Sequence, residues 1–291
     1  MLSFDLPVVR PRRSVLYVPG ANRRALERAA TLPIDGAIFD LEDAVAPAQK
    51  AVARDHVGET LRAHDFGRRE RAIRVNALAS AWGADDLRFC ASLARDRWDA
   101  LVLPKVESAA EVAAARAFVA ADVPVWCMIE TPRGVLAAAE IAAAPGVVGL
   151  VMGTSDLSKD LGIRPMLDRL PLLFALSQVL LAARAAGAFA LDGVCLELAD
   201  DGAFEREAGQ GAALGFDGKT LIHPKTVAAA NRIFAPDSIE IAQAERVVAA
   251  FQAAQAEGHG VVVVDSRLVE NLHVTAALRR LALAQAIQRE L

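Results

Sequence analysis

Two apolar runs in the chain end in an acid. Val123-Pro-Val-Trp-Cys-Met-Ile-Glu130 is rich in β-branched and bulky side chains and is stopped by Pro132 and Gly134; Val147-Val-Gly-Leu-Val-Met152 runs into Gly153-Thr-Ser-Asp156. Each reads as a strand with a carboxylate at its end. Two acids at neighbouring strand ends suit a hard cation. Mg2+ prefers oxygen ligands in an octahedron and keeps several waters, so Glu130, Asp156 and a substrate's own oxygens complete its shell, with Mn2+ as a substitute. Taken singly, each acid fits as the first-turn acid of the following helix. Other strand ends carry Asp40 with Glu42 and Asp43, Arg74 with Asn76, Lys105, Asp192 and Lys219. Unpaired acids beside a metal would repel one another, so one of Asp40, Glu42 and Asp43 is expected to orient Arg74 or a metal-bound water. The alternative for these three is a helix start with ion pairs to Arg13 or Arg74. Lys105 is open to a second reading as a Schiff-base lysine, although such an aldolase has no need of two metal carboxylates.

These residues need a frame that gathers strand ends. Strands are expected at Ser14–Val18, Gly36–Asp40, Arg71–Val75, Asp99–Lys105, in the two runs above, at Phe189–Val194 and at Gly215–Ile222, with helical stretches between them. Asn22 is placed to cap the first helix, and Pro47 starts the second. Repeated strand-helix units without a strand-only section point to a (β/α)8 TIM barrel within the α/β class, ahead of a doubly wound sheet. In a barrel all carboxyl ends of strands open into one mouth, so the polar residues listed above are expected to converge there. From about Ala235 the pattern changes to a helix through Gln255, the run Val261–Val264 and a last helix. Residues 1–234 are therefore read as the catalytic barrel and 235–291 as a helical lid and oligomer-contact extension.

With 54% hydrophobic and 23% charged residues in 291, the chain can bury a large core and is no disordered protein. The net charge of -4 and the scattered basic residues exclude a nucleic-acid footprint. Cys90, Cys127 and Cys195 have neither paired nor metal-ligand spacing, which fits a reducing cytoplasm. No apolar run reaches membrane-spanning length, and Met1 to Arg13 shows no signal-peptide core. His223 before Pro224 reads as a cap, and Gly209-Gln-Gly-Ala-Ala-Leu-Gly215 precedes a strand, so it is no dinucleotide fingerprint.

Seven motifs in order carry a resemblance: Arg13-Ser14 with Tyr17-Val-Pro-Gly20, Phe39-Asp-Leu-Glu-Asp-Ala-Val45, Arg74-Val-Asn76, Leu103-Pro-Lys-Val-Glu107, Met128-Ile-Glu130, Gly153-Thr-Ser-Asp156, and Gly218-Lys219 with Ile222-His-Pro224. The chain resembles the citrate lyase β-subunit-like aldolases of the HpcH/HpaI superfamily, which include malyl-CoA and citramalyl-CoA lyases. The resemblance implies a barrel with a C-terminal lid, a homotrimer or hexamer, Mg2+ on Glu130 and Asp156, and substrate contact by Arg74. It also places the CoA arm near Arg13, Pro19 and Gly20, with Lys50 as a phosphate contact. The implied reaction is Mg2+-dependent cleavage of a 3-hydroxy-carboxyacyl-CoA to acetyl-CoA and a 2-oxo acid. Such chemistry needs a proton acceptor and stabilisation of an enolate oxygen, roles open to Asp40, Glu42, Lys105 and Arg74. The alternatives are a citrate lyase β subunit acting on an acyl carrier protein, a malyl-CoA thioesterase, and a non-catalytic assembly subunit. In the lid segment Val264–Val274, Ser266-Arg267 replaces the family's glycine-lysine turn, and Glu270 stands where an acid/base aspartate is expected. Glu270 reads equally as the start of the last helix.

Overall fold

Along a parallel strand flanked by helices, alternate side chains turn to opposite faces, and that alternation sorts the apolar residues into two cores. The computed structural model describes residues 9–164 and 168–289. Eight strands, β1 (Ser14–Pro19), β2 (Gly36–Asp40), β3 (Glu70–Arg74), β4 (Ala100–Leu103), β5 (Val125–Ile129), β6 (Val147–Met152), β7 (Phe189–Asp192) and β8 (Gly218–Leu221), close into a barrel in chain order. All neighbouring pairs are parallel, and β8 returns to β1. Val15, Ile38, Ala72, Val102, Trp126, Met128, Val151 and Leu191 form the inner core. Their sequence neighbours Leu16, Phe39, Ile73, Leu101, Cys127, Leu150 and Ala190 belong to the larger core shared with the helices. The (β/α)8 expectation holds. β4 stops at Leu103, short of the expected Lys105, because Lys105 takes a left-handed backbone (φ 49°) that no strand continues.

The amino end of the barrel is stoppered by planar groups. Trp126 and Phe189 meet edge to face with centroids 5.1 Å apart. The Arg12 guanidinium lies 4.0 Å from the Phe189 centroid and donates to both oxygens of Glu70, at 2.6 and 2.8 Å.

Several loop details follow local rules. The Asn22 side chain accepts from Ala25 N–H at the head of helix Arg23–Ala29, as expected. Pro47 opens a short 3-10 turn that leads into helix Lys50–Ala63. His223 caps the turn Pro224–Thr226, its Nδ1 accepting from Lys225 N–H at 3.1 Å. Gly209 to Leu214 end the helix Asp201–Leu214. Cys90, Cys127 and Cys195 are free and buried.

The chain divides into two compact units, Arg12–Phe234 and, in their described parts, Ala235–Leu291 with Met1–Pro11. The second unit pairs helix Ser238–Ala256 with helix Asn271–Gln288 around Phe251, Val269 and Val274. Where the sequence showed one strand there is a hairpin, β9 (Val262–Val264) with β10 (Arg267–Val269). Its turn is Asp265-Ser266, both left-handed (φ 49° and 62°), so Arg267 begins β10 and is no turn residue. The missing glycine hid this turn. Among the described residues no helix is long and apolar enough to cross a membrane. The expectation that Met1 to Arg13 lacks a signal segment falls largely on residues outside the described ones.

Candidate active site

Asp40 and Arg74 are the last residues of β2 and β3 and are register partners. Arg74 donates from Nε to Asp40 Oδ1 at 2.7 Å and from Nη2 to Oδ2 at 2.6 Å, a forked pair sealed from solvent. Its Nη1 lies 2.9 Å from Glu42 Oε2, and its plane rests over the Tyr17 ring, 4.8 Å from the centroid. Burial alone would weaken the guanidinium's hold on its proton, but Asp40 more than offsets it. Asp40 also accepts Glu42 N–H at 2.8 Å and Ala44 N–H at 3.2 Å. Its oxygens are thus committed to orienting Arg74 and shaping the loop, while Glu42 stays buried and Asp43 is the exposed acid of the three.

Glu42 bridges two cations. Lys105 Nζ donates to Glu42 Oε1 at 2.6 Å and approaches Asp43 Oδ2 at 3.4 Å. Burial raises the Glu42 carboxyl against the pull of Arg74 and Lys105. For Lys105, burial alone would lower the amine, but the bond to Glu42 reverses this and holds it protonated. A Schiff-base role needs a neutral amine, so the site disfavours it.

The left-handed turn at Lys105 aims its backbone N–H at Glu130 Oε1, 2.7 Å away. Glu130 stands just past β5, 1% exposed, and burial, with the charge of Glu42 adding, pushes its carboxyl up to about 7. A Cβ on Gly153 would lie 2.2 Å from Glu130 Cβ and 2.4 Å from Oε2, so the end of β6 packs directly on this carboxylate. Helix Thr154–Asp160 starts there, and the partly exposed Asp156 is its first-turn acid. A buried acid that burial tends to neutralise, with Asp156 in the first turn of the helix packed against it, fits a hard divalent cation. Among the described residues no cluster of three or more His, Cys, Asp or Glu could hold a metal. A cation here would therefore rely on two carboxylates with water or substrate oxygens.

Other expected site residues lie elsewhere. Arg13 precedes β1, at the barrel end opposite the mouth, and its guanidinium pairs with Asp35 at 2.7 and 2.8 Å. It therefore neither reaches the acidic cluster nor contacts a CoA arm at the mouth. Lys50 is no exposed phosphate contact. It is 6% exposed, and its Nζ donates to Leu41 O, Glu42 O and Asn76 Oδ1 at 2.8, 2.7 and 2.8 Å. Asp192 and Lys219 do not converge on the mouth: Leu191 faces inward, so Asp192 faces outward, where it meets Lys219 Nζ at 2.9 Å and Arg169 Nη1 at 2.8 Å. Lys219 also reaches Glu207 of helix Asp201–Leu214, at 2.7 Å. Pro19 ends β1, and Gly20 donates to Asp40 O at 2.8 Å, so close that a Cβ would collide with that oxygen. Pro19 lines a cavity of about 340 Å³ with Asn22, Arg24, Arg28, Ile222 and Pro224. Glu270 is the N-cap of helix Asn271–Gln288, and its backbone N–H donates to His273 Nδ1 at 3.0 Å.

Tyr17, Met128 and Asp86 were given no role of their own from sequence. Tyr17 lies on the inward face with Val15, a placement the two-residue period of β1 signals. Its hydroxyl and Arg74 Nη1 both meet Met128 Sδ, at 3.6 and 3.7 Å. Asp86, fully buried, accepts Asn76 N–H at 2.9 Å and Arg54 Nη1 at 2.7 Å, contacts that no local pattern signals.

The family described as HpcH/HpaI aldolase/citrate lyase matches residues 13–224. A (3S)-malyl-CoA thioesterase of Cereibacter sphaeroides is 50% identical over 277 residues, covering 95% of this chain and 96% of the relative. An L-malyl-CoA/beta-methylmalyl-CoA lyase of the same species is 33% identical over 299 residues, covering 92% and 94%. Among solved structures, CitE of Mycobacterium tuberculosis in complex with magnesium, acetoacetate and coenzyme A superposes with a TM-score of 0.79 at 34% identity, over 95% of this chain and 100% of that one. With the matched residues running from the start of β1 past the end of β8, the chain belongs to the HpcH/HpaI aldolase/citrate lyase family.

Proposed function

We propose that this chain is a divalent-metal-dependent enzyme acting on a 3-hydroxy-carboxyacyl-CoA of the malyl-CoA type, with thioester hydrolysis as its net outcome. The observation that carries the reading is the buried Glu130 carboxyl within the field of Glu42, Lys105 and Arg74 at the mouth, with Asp156 in the first turn of the helix that starts against Glu130. The 50% identity to a (3S)-malyl-CoA thioesterase supports the choice of outcome. Glu130 and Asp156 would hold Mg2+, which when bound neutralises the substrate's oxygens and polarises its carbonyl. Arg74 faces the oxygen that becomes negative when the thioester carbonyl is attacked. Glu42, whose burial favours the protonated form, takes the proton from the attacking water while Lys105 stabilises its charged form beforehand. The cavity beside Pro19, with Arg24 and Arg28, suits the phosphates of the CoA arm.

Carbon-carbon cleavage is the second reading, supported by the 33% identity to a malyl-CoA lyase over nearly the whole chain. In it the same carboxylates accept the C3 hydroxyl proton and Arg74 faces the enolate oxygen of the departing acetyl thioester. Exposed Leu136, Phe174 and Leu181 on the outer helices support a homotrimer or hexamer, and Glu270 is retained as a lid acid supplied by a neighbouring subunit. A cytoplasmic location completes this reading, the three thiols being free.

The test incubates the protein with (3S)-malyl-CoA and Mg2+ and follows free thiol, malate, acetyl-CoA and glyoxylate separately. Equal amounts of thiol and malate, abolished by EDTA and restored by Mg2+, are expected. Acetyl-CoA with glyoxylate and no free thiol would assign the lyase outcome, and no product with metal present would remove both readings.

A further inference from the structure

The buried ammonium of Lys50 is spent entirely on loop atoms of the site. Helix Lys50–Ala63 begins directly after the acidic cluster, and Lys50 reaches back under that loop to the carbonyls of Leu41 and Glu42. Its third bond crosses to Asn76, two residues past Arg74. Asn76 in turn donates through Nδ2 to Leu41 O at 2.8 Å and to Asp86 Oδ2 at 2.5 Å. Arg54, one helical turn beyond Lys50, closes the circuit on Asp86 Oδ1 at 2.7 Å. The ring of Trp82 lies 5.2 Å from Nζ. Two cations on one helix face thus tie the loop after β2 to the loop after β3. Glu42 O has Lys50 as a side-chain donor, and the Glu42 carboxylate must span Arg74 and Lys105 at once.

We propose that Lys50 is a positioning residue: by holding the Leu41 and Glu42 carbonyls it fixes the Glu42 carboxylate between Arg74 and Lys105. An ammonium is suited to this because it offers three donors in a compact head, and here all three have acceptors. A carboxylate on a free loop would sample positions well away from both partners, and misplacement of about 1 Å at a reacting group costs on the order of a hundredfold in rate. The claim rests on the functional reading above for its kinetic arm and stands without it for its structural arm.

The experiment uses the full chain with Lys50→Met, which keeps length and removes the donors, and Lys50→Arg, which keeps a charge and donors, each alone and with Glu42→Gln. With (3S)-malyl-CoA and Mg2+, Lys50→Met is expected to lower kcat by about tenfold or more while KM stays within about threefold. In the Glu42→Gln background the same change should lower kcat by less than about threefold, because the group it positions is already disabled. Lys50→Arg should recover part of the loss. The second arm needs no substrate: acetic anhydride labelling of Lys105, read by mass spectrometry, should rise severalfold in Lys50→Met as Glu42 releases the ammonium. It should rise no further in the double variant than in Glu42→Gln alone. Wild-type kcat in Lys50→Met, equal fold-losses in both backgrounds, or unchanged Lys105 labelling in a folded variant would each overturn the proposal. If Lys50→Met does not fold, Asn76→Ala, which removes one of the three acceptors, is read by the same labelling with the same two outcomes. A wild-type protein that cleaves no thioester sinks the functional reading alone, and the labelling arm then decides the role of Lys50.

Discussion

Gly153→Ala offers a test of the cation site from an unusual direction, since it touches neither carboxylate chemically. The backbone at Gly153 has φ -102°, outside the left-handed region, so the effect is contact and not conformational strain. Its N–H is anchored on Ile129 O at 3.0 Å, while the new Cβ would sit 2.2 Å from Glu130 Cβ. An ordinary carbon contact needs more than about 3.4 Å, so Glu130 and the helix start must separate by about 1 Å. Forced overpacking of this kind costs about 1–3 kcal/mol of stability, and a displacement of about 1 Å at a reacting centre about a hundredfold in rate. Isothermal titration with Mg2+ should show the apparent Kd rising about tenfold or more, and the malyl-CoA assay a comparable or larger loss in kcat. Gly209→Ala is the control, because it lies in a helix with open space at its Cβ and is expected to be neutral or slightly stabilising. Wild-type metal affinity and turnover in a folded Gly153→Ala would refute the placement of a cation at Glu130.

Arg74→Lys keeps the charge but loses the fork to Asp40, and kcat on malyl-CoA should fall by about a hundredfold or more; an unchanged rate would reduce Arg74 to a rim ion pair. Asp192 gives a pH signature. Burial alone would raise its carboxyl, but Lys219 and Arg169 outweigh this and hold it below the usual range. Its stabilisation is therefore present above the unfolded value of about 3.9 and is lost as pH falls below that, towards the folded value. Asp192→Asn should cost about 3–5 kcal/mol at neutral pH, with the gap to wild type narrowing below pH ~4 in urea titrations; a gap independent of pH would contradict the pairing. Glu270→Gln keeps a capping oxygen, so melting should be little changed, whereas turnover should fall sharply with CoA binding intact. Full turnover would leave Glu270 as a helix start only.

The barrel was legible because most strands are short apolar runs with a polar residue at or near their ends, and because the first helices between them carry recognisable starts, Asn22 and Pro47. The acids of the site were legible for the same reason. What strand ends alone do not tell is the face. Asp40 and Arg74 turn inward and Asp192 outward, and only counting from inward Leu191 separates them. Arg13 shows a second limit: it comes before its strand, so the direction of β1 excludes it from the mouth whatever motif it belongs to. Lys50 shows a third, since helix position predicts an exposed cation, and its burial depends on Asn76, 26 residues away. The hairpin turn was missed because Asp265-Ser266 lacks the glycine that normally marks two left-handed residues in succession.

The Arg12 stopper has a consequence for how far the chain can be shortened. Arg12 is the first residue of the barrel unit, so the cork of the vessel is the chain's own point of entry. Trimming through Arg12 would not merely remove a loose end. It would strip the cation from the face of Phe189, leave Glu70 a buried acid without that fork, and let water into the floor beneath Trp126. The smallest barrel of this chain with its floor intact accordingly begins no later than Arg12.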